Sequence, residues 1–339
     1  MRKKLIAIGA VAAAVLTVAG AASMTGAFGP GSRIVILSHN AYPDHGRYAD
    51  RLDRAIAAGL PFATEQDLAW IDGKSLEIHG AKNASGDDPT LETYFFPKVK
   101  PVIEKALKEG NKGNWPLITL YLDIKNDPPE HLQTILKVLD RYQGWLTTAR
   151  KTADITVQLP LDLKPVMVLV EDKQDDIKQK FFYDQVPVGG KIRVFGSATK
   201  FDENPAHLAK EKKAEAIALL STADPEQLVP HRADNYRRWF GTNWAFIEKG
   251  GETGAGDWTP TSEARLKKFV EYGHRLGYLV GVYCLDGYTE AENQGWDKDY
   301  NFGSKEKVMP RWQAAVRAHA DFISTDQMED VAAVIKQAH

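Results

Sequence analysis

Two histidines, three carboxylates and a lysine close short apolar runs in the first part of the chain: His39, Glu65, Asp67, His79, Asp123 and Lys125. Glu65 and Asp67 are two positions apart in one run. Asp123 lies near the end of the next, with Lys125 two places beyond. Residues i and i+2 of a strand point to the same side, so Glu65 and Asp67 can face one cation, and Lys125 points the same way as Asp123. Oxygen-only ligation suits a hard ion, Mg²⁺ or Ca²⁺, with waters and a substrate oxygen completing its shell. A histidine on either side can take up and return a proton near neutral pH. A metal held by three acids between two histidines is chemistry for cleaving a phosphodiester. A lone Glu-x-Asp pair is commonly a solvated edge and a lone strand-end histidine a loop residue. Five ionisable groups at successive strand ends, however, would be costly in a plain core.

Chemistry of this kind needs elements that bring distant residues to one rim. Ile34–Leu37 reads as a buried strand ending at His39, and Phe62–Trp70 as the second. Asp72-Gly73 is a hairpin signal that returns Leu76–Ile78 to His79. Leu117–Ile124 reads as the third strand, Val166–Val170 as the fourth and Lys191–Phe195 as the fifth. Gln227–Val229 reads as a weak sixth, Leu279–Leu285 as the seventh and Asp321–Ser324 as the eighth. Stretches with helical spacing separate them: 48–58, 90–107, 130–142, 205–220, 263–276 and 309–318. Eight strands interleaved with helices predict an α/β fold, a single (β/α)8 TIM barrel. A doubly wound open sheet is the runner-up, but no glycine-rich phosphate loop or dinucleotide fingerprint opens any of these helices. Chemistry in such a barrel gathers at the C-terminal ends of the strands, where the six residues fall.

The chain opens on Arg2, Lys3 and Lys4, then an apolar stretch and the small residues Ala19 to Ser23. This is the pattern of a secretory signal peptide. It predicts a leader over residues 1–22, a single domain over 31–339 and export to the periplasm or medium, with no stable membrane insertion once the leader is removed. Removing the three leader charges from the 43 basic residues leaves 40 against 45 acids, a net charge of −5. With no basic run, binding to nucleic acid or to an anionic membrane is not favoured. Cys284 is the only cysteine, so no intramolecular disulfide forms, and its run Val280–Leu285 reads as a buried strand in which it is a small core residue. Gly250–Gly256 reads as a loop near the mouth. Tyr236, Trp239 and Trp244 can wall one side of the mouth where an acyl chain lies. His45, and His231 with Arg232, are weaker candidates for substrate contact. No Gly-x-Ser-x-Gly turn supports Ser-His-Asp hydrolysis.

Ser38-His39-Asn40, Ala58-Gly59, Glu65-x-Asp67-Leu68, Asp72-Gly73, His79-Gly80 and Leu122-Asp123-Ile124-Lys125 together resemble the glycerophosphodiester phosphodiesterases, within the phospholipase C-like phosphodiesterase superfamily of TIM barrels. The likeness is strongest to the group typified by altered inheritance of mitochondria protein 6, which shares a helix start like Pro89-Thr90-Leu91. It is tight over 36–125 and looser beyond, where Ile323-Ser324-Thr325-Asp326 resembles the family's last strand. The phosphodiesterases carry Arg where this chain has Asn40, and commonly Glu where it has Asp123. The sphingomyelinase D enzymes resemble it in having Asp followed by Lys there. The resemblance implies His39 and His79 as catalytic residues and Glu65, Asp67 and Asp123 as ligands of Mg²⁺ or Ca²⁺. The sphingomyelinase D enzymes also keep a Trp late in the barrel, for which Trp239, Trp244 and Trp258 are equal candidates, and Lys125, Asn40 and Trp244 are the expected substrate contacts. The implied substrate is a small phosphodiester or a lysophospholipid. The alternatives are a non-catalytic barrel that binds a phosphorylated or sugar ligand, which would need no paired acid and base, and a glycoside hydrolase, which leaves both histidines without a role.

Overall fold

The computed structural model describes residues 28–44, 48–80, 82, 84–85, 87–171, 177–198, 221–248, 255–292 and 301–338. The leader, His45, the 205–220 helix and most of the 250–256 loop lie outside them. Eleven strands are present among the described residues: β1 (Val35–Ser38), β2 (Phe62–Ile71), β3 (Lys74–Glu77), β4 (Ile118–Ile124), β5 (Ala149–Arg150), β6 (Val166–Val170), β7 (Lys191–Ile192), β8 (Val194–Ser197), β9 (Arg237–Asn243), β10 (Leu279–Tyr283) and β11 (Phe322–Thr325). Eight of them pair in parallel in the order β1-β2-β4-β6-β8-β9-β10-β11, and β11 pairs again with β1. The sheet is therefore a closed barrel, a single (β/α)8 fold. Helices cover its outside: α1 (Arg51–Ala58), α2 (Phe95–Glu109), α3 (Pro129–Arg141), α4 (Pro260–Leu276), α5 (Lys305–Arg317) and α6 (Met328–Ala338).

Alternation along the strands separates the two sides. On β4, Leu120 and Leu122 are fully buried, while Tyr121 and Asp123 face the barrel interior. On β9 the inward set is Trp239 and Gly241, and Phe240 packs outward against Phe269 of α4 and against Tyr278. The hairpin β2–β3 turns on Asp72 (φ 48°) and Gly73 (φ 78°). Two successive positive φ values match the right-handed twist of the flanking strands, as the Asp-Gly pair predicts. β3 adds an antiparallel edge to β2 and returns the chain to His79 above the barrel mouth.

Three of the expected elements are placed differently. Gln227–Val229 is not the sixth strand. Pro225–Leu228 is a short helix, with Pro225 in its first turn and a reciprocal cap between Asp224 and Gln227. That capping signature outweighs the apolar pair Leu228-Val229. The sixth barrel strand is β9. Lys191–Phe195 is two elements: Lys191–Ile192 pairs with Ala149–Arg150 outside the barrel, and only Val194–Ser197 belongs to it. The second helix starts at Phe95 rather than Thr90, after turns at 91–94.

Helix α4 lies tight on β9 and β10 because Gly273 has no side chain. A Cβ there would stand 2.5 Å from Cγ2 of Val280 and 2.8 Å from Cζ of Phe240. Gly273→Ala should therefore destabilise the barrel by about 1–3 kcal/mol, the usual range for overpacking, despite alanine's better helix propensity. The midpoint of urea unfolding checks this. An unchanged or raised midpoint would show that α4 has room to move outward.

Candidate active site

The parallel register of β2 and β4 brings the acids together. Asp67 is the direct partner of Asp123, and Glu65 of Tyr121. One oxygen from each of Glu65, Asp67 and Asp123 lies within 4.8 Å of the others. Ligands of one cation at about 2.0–2.6 Å can stand up to about 5.2 Å apart, so oxygens this close can share one ion. Asp67 is fully buried. Its Oδ2 accepts the Tyr42 hydroxyl at 2.6 Å and stands 2.9 Å from Lys125 Nζ, which also donates to Asp123 Oδ2 at 2.7 Å. Its Oδ1 is buried with no hydrogen-bond partner. Burial pushes Glu65 up to about 7 and Asp67 up to about 6. For Glu65, His39 partly offsets this and the two neighbouring acids add to it. For Asp67, Lys125 is the main offset and Asp123 adds. Lys125 alone does not balance three acids, two of them buried and Asp123 half-buried, and an unpartnered carboxylate oxygen is what a hard cation would take. The donor set therefore suits Mg²⁺ or Ca²⁺.

The two histidines stand against different acids. His39 Nε2 is 3.8 Å from Glu65 Oε2, and His79 Nε2 is 3.9 Å from Asp67 Oδ2. His39 is held from behind. Its Nδ1 is 3.1 Å from Asp326 Oδ1, and Arg51 donates to Asp326 Oδ2 at 2.7 Å and to the His39 carbonyl at 2.9 Å. Burial works against the imidazolium, but the hydrogen-bonded Asp326 carboxylate outweighs it and lifts His39 to about 9. Burial would raise Asp326, yet His39 and Arg51 hold it below the usual carboxylate range. His79 is more open, its side chain 58% exposed. Partial burial and then Lys125 lower it. The pair thus sits in environments that push in opposite directions, the arrangement from which acid and base roles arise.

Asn40 lies over the acids in a left-handed conformation, φ 46°, which asparagine tolerates better than most residues. Its main-chain N–H donates to Glu65 Oε2 at 3.4 Å, and its side-chain oxygen accepts from the Tyr42 hydroxyl at 3.2 Å. Beside this cluster a cavity of about 190 Å³ opens into the barrel, bounded by His39, Glu65 and Asp123 on one side and Tyr121, Glu171 and Trp239 on another. Trp244 does not reach it. Strand parity turns Trp239 and Gly241 inward, and the chain then enters a 3-10 turn at Trp244. There the indole is wholly buried, donating to Glu248 Oε2 at 2.7 Å and packing against Trp258. Tyr236 is fully buried at the start of β9, so of the three aromatic residues expected at the mouth only Trp239 lines the cavity. His231 and Arg232 are exposed and precede β9, at the opposite face of the barrel. Cys284 is buried, as expected of a core residue, but it borders the cavity and accepts from Asn243 Nδ2 at 3.3 Å.

Several residues of the site carry no sequence-based expectation. Asp326 directly follows the eighth strand and Asp286 closely follows the seventh, where the strand-end rule that found His39 applies equally. Asp286 accepts the Thr325 hydroxyl at 2.6 Å and the Asp326 N–H at 2.7 Å, and burial pushes it up to about 7. With His39 and Asp326 it forms a second group of close potential ligands. Tyr42 and Arg51 gave no local signal, because loop and helix positions acquire their partners only on folding.

No family model matches the chain, and no curated protein matches it. Among solved structures it is similar to a glycerophosphoryl diester phosphodiesterase from Parabacteroides distasonis, with 14% identity over 90% of this chain and 87% of that one and a TM-score of 0.40. It is also similar to a Ca²⁺-dependent phosphatidylinositol-specific phospholipase C from Streptomyces antibioticus, with 14% identity over 89% and 96% and a TM-score of 0.39. Likeness of this degree assigns no activity.

A cation seated among three carboxylates depends on each of them. Asp67→Asn should lower affinity for Ca²⁺ or Mg²⁺ by at least about tenfold, measured by calorimetry on protein whose circular dichroism is unchanged. Equal affinity in variant and parent would place the cation elsewhere.

Proposed function

We propose that the chain is a metal-dependent phosphoric diester hydrolase, exported, acting on a glycerophosphodiester or a lysophospholipid headgroup by histidine acid–base catalysis. The observation that supports this best is the convergence of Glu65, Asp67 and Asp123 between His39 and His79 at the C-terminal mouth of the barrel. A binding protein would need the charge but not two proton-transfer groups flanking it.

Glu65, Asp67 and Asp123 would hold the Mg²⁺ or Ca²⁺, which when bound supplies Lewis-acid stabilisation of charge on a phosphate oxygen. The chain's own residues do the rest. Lys125, tied to Asp67 and Asp123 at 2.9 and 2.7 Å, presents an ammonium beside the acids where a phosphoryl oxygen is bound and loses charge repulsion. Tyr42 fixes the Asp67 carboxylate, and Asn40 bridges Tyr42 and Glu65. The Asp326 contact to Nδ1 orients His39 so that Nε2 faces the site. One of His39 and His79 takes the proton of the attacking hydroxyl or water as it bonds to phosphorus. The other donates a proton to the departing oxygen as the P–O bond breaks.

Removing either histidine should cost about 10²–10⁴-fold in turnover, the usual weight of a general acid or base. His39→Ala and His79→Ala, assayed on bis(p-nitrophenyl) phosphate and glycerophosphocholine, are the direct test. EDTA should abolish the parent activity and added metal restore it. Full activity in EDTA, or wild-type turnover in both variants, would refute the reading.

A further inference from the structure

His79 owes its place to the hairpin that carries it. Among the described residues its imidazole makes no hydrogen bond, and the charged group it approaches within ion-pair distance is Asp67, at 3.9 Å. Its height above the acids is set by the main chain instead. Ile78, the residue before it, donates its N–H to the Asp67 carbonyl at 3.1 Å. β3 is joined to β2 by four residue pairs, the last of them Leu68 with Glu77.

Glu77 is the costly member of that attachment. Leu76 and Ile78 pack with Ala69 on one face of the hairpin. Glu77 points to the other, where it is fully buried. Neither of its carboxyl oxygens has a hydrogen-bond partner among the described residues. Burial holds the carboxyl well above the usual range. The elements packed around it bring no cation to its relief. On β2 its partner Leu68 is apolar. Tyr94, in the turn before α2, is raised by the charge of Glu77, and its hydroxyl donates to the carbonyl of Ala49. Asp50 and Asp53, on the far side of Tyr94, are acids, and Lys98 of α2 is paired with Asp53 at 2.6 Å. His131 of α3 lies between the Ser75 hydroxyl and the Asn126 carbonyl, and burial lowers it. An apolar side chain would fill this place without penalty. A carboxyl without partners is unfavourable there when neutral and far more so when ionised.

We propose that Glu77 is a positioning residue: its uncharged carboxyl lets the hairpin seat and sets His79 over the acid triad, and its ionisation lifts the hairpin and withdraws His79. The consequence for catalysis rests on the hydrolase reading, whereas the movement does not. A released Glu77 returns to the ordinary glutamate value of about 4.3, below that of the seated residue. Seating is therefore at full strength below that pH. It weakens as pH rises toward the seated value, by up to about tenfold per pH unit.

Hydrogen exchange of the 72–79 segment reads the opening directly, in the whole protein with Mg²⁺ or Ca²⁺ supplied and intrinsic rates corrected. Between about pH 5 and pH 8 the opening constant of the parent should rise by at least about tenfold. In Glu77→Gln, uncharged throughout, it should be flat. Glu77→Met serves as the second variant where the amide impairs folding. A flat profile in the parent overturns the proposal. So does a pH dependence that persists in both variants, because it would then belong to Glu65, Asp67 or the histidines. With glycerophosphocholine, the variants should retain turnover to higher pH than the parent. Identical pH profiles of kcat in parent and variants overturn the positioning role even where exchange behaves as expected. Exchange as expected without cleavage of any diester leaves the proton-coupled seating intact and refutes the hydrolase reading instead.

Discussion

Negative charge concentrated inside the barrel mouth is the constraint around which the site is arranged. Glu65, Asp67 and Asp123 are fixed within 4.8 Å of one another by strand register, and backbone pairing cannot relax to separate them. Like charges held this close in a partly desolvated site repel strongly. The surrounding residues answer that repulsion at short range. Lys125 bridges two of the acids, Tyr42 donates to the most buried one, and His39 stands beside the third. Burial and mutual repulsion outweigh these partners, so Glu65 and Asp67 remain easier to protonate than usual, and a divalent ion would suit as a counter-charge.

The neighbouring network has the reverse sign relation. Asp326 sits between His39 and Arg51 and is held below the usual carboxylate range. Asp286, next to it, is pushed up to about 7 by burial and by the charge of Asp326, which Thr325 and His39 offset only in part. Two aspartates a hydrogen bond apart therefore differ in character because of what each faces. Asp326 stays ionised and orients the imidazole. Asp286 caps the turn after β11 through Thr325 and the Asp326 N–H.

Much of this was legible in the sequence, for identifiable reasons. Parallel strands buried on both faces leave continuous apolar runs, so Val166–Val170 and Leu117–Ile124 were recoverable to within a residue. Period-two alternation places Glu65 with Asp67, and Asp123 with Lys125, whatever the tertiary context. The failures have equally local causes. β9 reads Arg-Arg-Trp-Phe-Gly-Thr-Asn, with paired arginines at its start and a glycine at an inward position, so it lacks an apolar run. Arg238 is nonetheless almost fully buried, donating to the carbonyls of Leu159 and Asn235. Without an apolar run to mark β9, the parity of Trp239 and Trp244 is not readable: both are buried, but only Trp239 borders the cavity. Asp326 went unassigned because its partner His39 lies at the other end of the chain.

That separation decides when His39 is oriented. β1 pairs with β11 through Ser38 and Thr325, so His39 gains its orienting carboxylate only when the final seam of the barrel closes. Arg51, on the first helix, grips the same aspartate. A chain emerging during synthesis would carry the acid triad and both imidazoles before Asp326 had been added. It would lack the clasp that aims one of them until Asp326 had arrived. Orientation of the first imidazole is thereby tied to closure of the barrel, and a molecule clipped before Asp326 would leave His39 without its orienting carboxylate.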